Sequence, residues 1–186
     1  GMGLTGIILE ATIQLIPIKT SWVLTETHRY RALEELLTAM TGADDSASYS
    51  VAWIDLMHQG KSVRSIHTTG RLAGVEELPN KLQHRPLNYS PTNQLAHLDW
   101  MPNTLLRPAT MKGFNRAWFL GASAFGRDGV QTIRRFFHPL DRVGNWNRLY
   151  GPNGFLQWQM VVPDGAESML KECITALTTS PKPCFL

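Results

Sequence analysis

Tyr49-Ser50-Val51-Ala52-Trp53-Ile54-Asp55-Leu56-Met57 leads through His58 and Gln59-Gly60-Lys61 into Ser62 to Thr69. Its first part alternates with a period of two. Val51, Trp53 and Asp55 face one way, and Ala52, Ile54 and Leu56 the other, as on a strand with two unlike faces. Gln59-Gly60-Lys61 has the composition of a hairpin turn, so Ser62 to Thr69 reads as an antiparallel partner strand. A hairpin, rather than a helical crossover, at the centre of the chain directs the fold toward an antiparallel sheet.

Upstream, Gly42 to Ser48 is a polar connector. Tyr30, Leu33, Leu37 and Met40 mark a helix that Gly42 stops. Ser21 to Thr27 predicts a strand. Leu4 to Ile18 predicts another, with Ile7, Leu9, Ala11, Ile13 and Leu15 on one face and Ile8, Glu10, Thr12 and Gln14 on the other; Pro17 ends it. Downstream, five prolines break up Gly70 to Gly113, which reads as a long excursion over the sheet, a lid or an unstructured insert. Phe114 to Phe125 predicts a short helix; Val130 to Phe137 and Phe155 to Val162 predict strands. Asp164 caps a last helix with Glu167 three residues on, and Met169, Leu170, Cys173, Ile174 and Leu177 form its apolar stripe. The succession predicts an α+β fold: an antiparallel sheet with helices packed on one face, close to a ferredoxin-like layout.

Bulk composition narrows the function classes. The chain has 186 residues, 43% hydrophobic and 18% charged, enough apolar content for a core. Its net charge of +3 is spread along the sequence, with Arg134-Arg135 the lone arginine doublet. Nucleic-acid binding calls for a denser basic footprint and is set aside. Two cysteines and six histidines show no metal-ligand spacing, so no metal site is expected and a reducing, cytoplasmic setting fits best. No stretch approaches the ~20 apolar residues of a transmembrane helix.

On the predicted strand Phe155 to Val162, Leu156, Trp158, Met160 and Val162 form an apolar face. Phe155, Gln157 and Gln159 share the opposite one. Two neighbouring amides offer donors and acceptors suited to sugar hydroxyls or a flavin edge; a solvated sheet face is the plainer reading. Trp53 can stack on a ring or pack against a neighbouring element. His138 can carry a proton near neutrality or serve as an ordinary hydrogen-bonded side chain. Gly1-Met2-Gly3-Leu4-Thr5-Gly6 fits the letters of a dinucleotide fingerprint but precedes a strand instead of linking a strand to a helix, so the phosphate-binding logic fails. No nucleophile–base constellation occurs, and no catalytic residue is assigned.

Four segments in order carry a family resemblance: Gly-Met-Gly-Leu-Thr-Gly-Ile-Ile at 1–8, Ser-Val-Ala-Trp-Ile-Asp at 50–55, Phe-Phe-His-Pro-Leu-Asp at 136–141, and Trp-Asn-Arg-Leu-Tyr-Gly-Pro-Asn-Gly-Phe-Leu-Gln-Trp-Gln at 146–159. Together they resemble the decaprenylphosphoryl-ribose oxidase group of the vanillyl-alcohol oxidase superfamily. The resemblance implies an FAD enzyme that oxidises a secondary alcohol of a sugar, in the lipid-linked case with a partner reductase completing epimerisation. It places Gly3 and Ile8 against FAD. Trp53, Phe137, Gln157 and Gln159 face substrate, with His138 and Leu140 nearby. Many relatives carry tyrosine at the position of Phe137. It also implies that residues 1–18 are the last strand of an FAD-binding domain and 19–186 an incomplete substrate cap. The pyrophosphate-binding loops and the family's lysine near the reacting carbon are expected outside this chain, so the isolated chain is expected to bind no FAD and to be inactive. A stand-alone ligand-binding module, dimeric so as to cover its edge strands, and an aldonolactone oxidase are the alternatives.

Overall fold

A computed structural model describes residues 4–42, 47–58, 63–90, 106–122, 129–139, 150–152, 154–157, 159–163 and 165–180. The central hairpin forms as the alternation requires. Strand β2 (Tyr49–Ile54) runs antiparallel to β3 (Ser65–Leu72), with Tyr49 opposite Gly70 and Ile54 opposite Ser65. It is shorter on the β2 side than predicted: Asp55 still donates its N–H to the Arg64 carbonyl at 2.9 Å, and Leu56 and Met57 then turn into buried positions. Strand β1 (Trp22–Tyr30) pairs with the other edge of β3, and β4 (Gly129–Thr132) with the other edge of β1. The order β2-β3-β1-β4 is antiparallel throughout, so the α+β antiparallel architecture is the one the sequence predicts.

Helix α1 (Leu33–Thr41) starts three residues later than its apolar spacing suggested, because Tyr30 completes β1. Glu34 and Glu35 in its first turn complement the helix dipole, and the Gly42 N–H closes it on the Thr38 carbonyl at 2.9 Å. Leu33 and Leu36 of α1 bury against Leu56 and against Ile174 of the last helix, α5 (Glu167–Thr179). Ala52 and Ile54 of β2 pack on the same cluster, which fixes this as the face of α1 and α5. Each aliphatic side chain buried here contributes roughly 1.5–3 kcal/mol. Of the predicted α5 stripe, Ile174 is buried and Leu170 packs beside it, whereas Met169 and Leu177 stay exposed.

The Pro-rich excursion carries a 3₁₀ turn (Val75–Glu77) and a single helical turn, α2 (Asn80–Gln83). Its start is tied down at Ser21, whose N–H donates to the Pro86 carbonyl at 2.8 Å and whose hydroxyl donates to the Asn88 carbonyl at 2.6 Å. The next helix, α3 (Pro108–Leu120), begins at a proline in its first turn, earlier than predicted. It leans on the sheet face opposite α1 and α5: Phe119 and Ala122 cluster with Ile66 of β3, and Trp53 packs against them.

Of three other predicted strands, Val130 to Phe137 forms only as far as Thr132, within β4, and two do not form among the described residues. Ile133–Phe137 is a helical turn, α4, because Thr132 Oγ1 caps it by accepting the Arg135 N–H at 3.2 Å. The described parts of Phe155 to Val162 have no ladder partner, and Leu156, expected on an apolar face, is 101% exposed. Leu4 to Ile18 likewise pairs with no described strand, and its isoleucines and leucines are exposed on both sides. Alternation specifies two faces but supplies no neighbour to hydrogen-bond, and without one the backbone stays out of a sheet. No helix among the described residues is long and apolar enough to cross a membrane.

Candidate functional site

The register places Tyr49, Val51 and Trp53 on one face of β2, level with Gly70, Thr68 and Ile66 of β3 and then with Thr25, Thr27 and Arg29 of β1. This is the face opposite α1 and α5. At one end α4 lays Phe136 across the Gly70 backbone, so closely that a Cβ there would lie 2.6 Å from the ring and 3.0 Å from Val23 Cγ1. A glycine is needed for that approach. Phe137 meets Tyr49 edge-on at 4.8 Å between ring centroids and Phe136 at 4.9 Å, favourable geometry for aromatic pairs. At the other end the half-buried Trp53 leans on Ile66 and Phe119. Four residues of strand separate Tyr49 from Trp53, roughly 13 Å. Val51 between them is 51% exposed, leaving an apolar step between two aromatic ends.

Polar groups line the same face. Thr27 Oγ1 and Thr68 Oγ1 lie 3.2 Å apart, and Gln131 of β4 donates from Nε2 to Thr25 Oγ1 at 2.9 Å. The strand residues of this face include no carboxylate, lysine or histidine. The hydroxyls and the amide of this face donate and accept hydrogen bonds beside the aromatic rings.

The sequence-derived site residues are only partly gathered. Trp53 and Phe137 share this face at its two ends. His138 is exposed at the end of α4, its N–H donating to the Arg134 carbonyl at 2.9 Å. Gln157 and Gln159 are exposed on the unpaired segment and make no side-chain hydrogen bond among the described residues. Gly3 and Leu140, like Trp158, lie outside the described residues. Ile8 is 85% exposed, and residues 4–18 line neither the cleft beside Phe119 nor the one beside Trp22 and Arg134.

A second constellation was missed in the sequence. Just past β2, Asp55 is 1% exposed and accepts from Asn115 Nδ2 of α3 at 2.8 Å and from the Met57 N–H at 3.1 Å. Its Oδ2 lies 2.6 Å from Arg64 Nη2, a charge contact in which neither Oδ2 nor the buried Arg64 Nε finds an aligned hydrogen-bond partner. The guanidinium carbons of Arg29, Arg31 and Arg64 sit 5.7, 5.7 and 6.0 Å from the Phe119 ring centroid. Around them opens a cleft of about 580 Å³. Burial, and then the charge of Arg64, hold the His58 imidazole at its rim below the ordinary value, with Asp55 opposing. Spacing alone gave no signal, since these cations stand far apart in sequence.

No family model matches the chain. It is 36% identical over 188 residues to the decaprenylphosphoryl-beta-D-ribose oxidase of Mycolicibacterium smegmatis, across 100% of this chain and 41% of that protein. It is 29% identical over 181 residues to an uncharacterized protein in the mprA 5′ region of Streptomyces coelicolor, across 94% of this chain and 49% of that one. The chain spans less than half the length of either relative and is a partial relative of the oxidase.

Proposed function

We propose that this chain supplies the substrate-binding cap of an FAD-linked oxidoreductase that converts a secondary alcohol of a lipid-linked sugar to a ketone. The observation that carries the reading is the similarity to the oxidase, which takes in all of this chain. The aromatic and threonine-lined face is the part of the fold suited to a sugar ring: Trp53 and Phe137 offer stacking surfaces, and Thr25, Thr27, Thr68 and Gln131 offer hydroxyl and amide partners. In this reading Gln157, Gln159, His138 and Leu140 close over the sugar, and Gly3 and Ile8 meet the flavin, once a flavin domain packs on the cap. Residues 1–18 belong to that domain as a strand, and 19–186 form the cap. Leu4 to Ile18 supports this: Ile7, Leu9, Ile13 and Leu15 on one of its faces are exposed and unpaired among the described residues, the pattern of a strand with one face to bury. FAD is then held by residues of the flavin domain, so the isolated chain neither retains the cofactor nor turns over substrate. A cytoplasmic location and a partner reductase belong to the same reading.

Two titrations test it. Farnesylphosphoryl ribose added to the full chain should change tryptophan fluorescence saturably, and Trp53→Ala should weaken that binding about tenfold, the scale of one aromatic stacking contact. Absence of saturable binding to the wild-type chain would remove the cap assignment. FAD mixed with the chain should leave no absorbance band near ~450 nm after gel filtration; a stoichiometric band would refute the placement of the cofactor on other residues.

A further inference from the structure

The cleft beside Phe119 collects four cations, and among the described residues only Arg64 meets a carboxylate, that of Asp55. Helix α3 presents Lys112, Asn115, Arg116 and Phe119 at intervals of three and four, one face of a helix. The bond from Asn115 to the buried Asp55 fixes how that helix is rotated, and so carries Lys112 and Arg116 to the end of the sheet. There β1 delivers Arg31 one residue past its last rung, and β3 delivers Arg64 one residue before its first. Asp55 is already occupied by Arg64, Asn115 and the Met57 N–H. Arg29 is engaged with the carbonyls of Phe119 and Leu120 at 3.5 and 3.1 Å. On α1, Glu34 pairs with Lys171 of α5 at 3.1 Å. Arg31, Lys112 and Arg116 therefore have no carboxylate partner among the described residues.

We propose that this cleft binds a phosphoryl group, gripped by Arg31, Lys112 and Arg116 and backed by Arg64, with the exposed Leu120 against its carrier. Guanidinium forks and an ammonium suit the several oxygens of a phosphate better than the two of a carboxylate. Arg64 is preset for the role: Asp55 anchors one end of its guanidinium while its buried Nε lacks a hydrogen-bond acceptor. At about 580 Å³ the space suits a small phosphoester or one lipid headgroup, not the long basic track a nucleic acid needs. The inference stands apart from the oxidase reading, since it rests on cations that the aromatic face does not use.

The test is calorimetric titration of the full chain with inorganic phosphate, with farnesyl phosphate in zwitterionic micelles, and with a short single-stranded oligonucleotide. Saturable phosphate binding that falls at least tenfold in the double variant Lys112→Gln/Arg116→Gln is the expected result. The exposed pair Lys81→Gln/Arg85→Gln, with the same loss of charge outside the cleft, should leave it unchanged. Farnesyl phosphate binding tenfold or more tighter than phosphate would identify a lipid headgroup as the source; equal affinities would identify a soluble phosphate. Should the α3 double variant lose its circular-dichroism melt, Arg31→Gln, on another element, gives the same readout. No phosphate binding, an equal loss in the control pair, or tighter binding of the oligonucleotide would each overturn the proposal. Sugar-dependent fluorescence from Trp53 is scored separately, so either proposal can fail without the other.

Discussion

Replacing Asp55 by alanine removes three interactions from a site that water does not reach. The carboxylate holds Arg64 at 2.6 Å, Asn115 Nδ2 at 2.8 Å and the Met57 N–H at 3.1 Å, and the Arg64 side chain is 16% exposed. Without Asp55 a largely buried cation loses its counter-charge, a loss of about 3–5 kcal/mol. The stranded amide and N–H would each cost about 1–3 kcal/mol in isolation, but a water entering the hole serves both, so the terms do not add. Against a typical stability of about 5–15 kcal/mol, the variant sits near the edge of folding. With a urea slope near ~2 kcal/mol/M, the midpoint should drop by about 2 M, followed by tryptophan fluorescence. Asp55→Asn keeps the oxygen that accepts from Asn115 or Met57 and removes the charge, so it should fall between wild type and alanine. A cost below about 1 kcal/mol for Asp55→Ala would mean the pair behaves like a solvent-screened surface bridge, and the account of a buried anchor for α3 would be wrong.

Other outcomes follow from burial and ionisation. Leu36→Ala, in the fully buried centre of the α1–α5 core, should cost about 2–5 kcal/mol in a urea melt, while Leu156→Ala should change stability by less than about 0.5 kcal/mol; a larger loss at Leu156 would restore the strand face expected from its alternation. His58 and His67 are both held below the ordinary imidazole value, His58 by burial and then the charge of Arg64, His67 by burial and then the charge of His28. Between that ordinary value, 6.5, and the lowered ones, the unfolded chain binds more protons than the folded one. Stability is therefore fully present above about pH 6.5 and lost as the pH falls through the window. Melting temperature should drop from about pH 7.5 to about pH 5.5, and His58→Gln/His67→Gln should flatten the drop; an unchanged slope in that variant would assign it to other groups.

The central hairpin was legible because its signal is local and double: two alternating runs and a turn, each needing the other. The same reasoning failed at Phe155 to Val162 and at Leu4 to Ile18, where alternation was just as regular. A strand exists through its neighbour's backbone, and neither run has one among the described residues. Ile133–Phe137 shows a second cause. Ile133, Phe136 and Phe137 are good strand formers, but Arg134 and Arg135 favour a helix, and the Thr132 hydroxyl that accepts the Arg135 N–H starts one at the end of β4. The strand propensity of three residues yielded to a single capping bond.

Site legibility divides along the same line. Trp53 and Phe137 were found through motifs, and the fold does bring them to one face, because β2 and α4 meet through Tyr49. The cationic cleft could not be found that way. Its members come from the end of β1, the approach to β3 and the middle of α3, so a charge count along the chain shows them as scattered. What gathers them is Asp55: a carboxylate that looks like one more polar residue on an alternating strand but sits at the point where β2 ends, and there can reach both Arg64 and Asn115. Its N–H bond to the Arg64 carbonyl at 2.9 Å keeps Asp55 in step with Trp53, on the side of the sheet that α3 covers, where Asn115 meets it. The last residue in step with β2 thus carries the carboxylate around which the basic cleft is built, and the carboxylate-free strand face lies beside that cleft across Phe119.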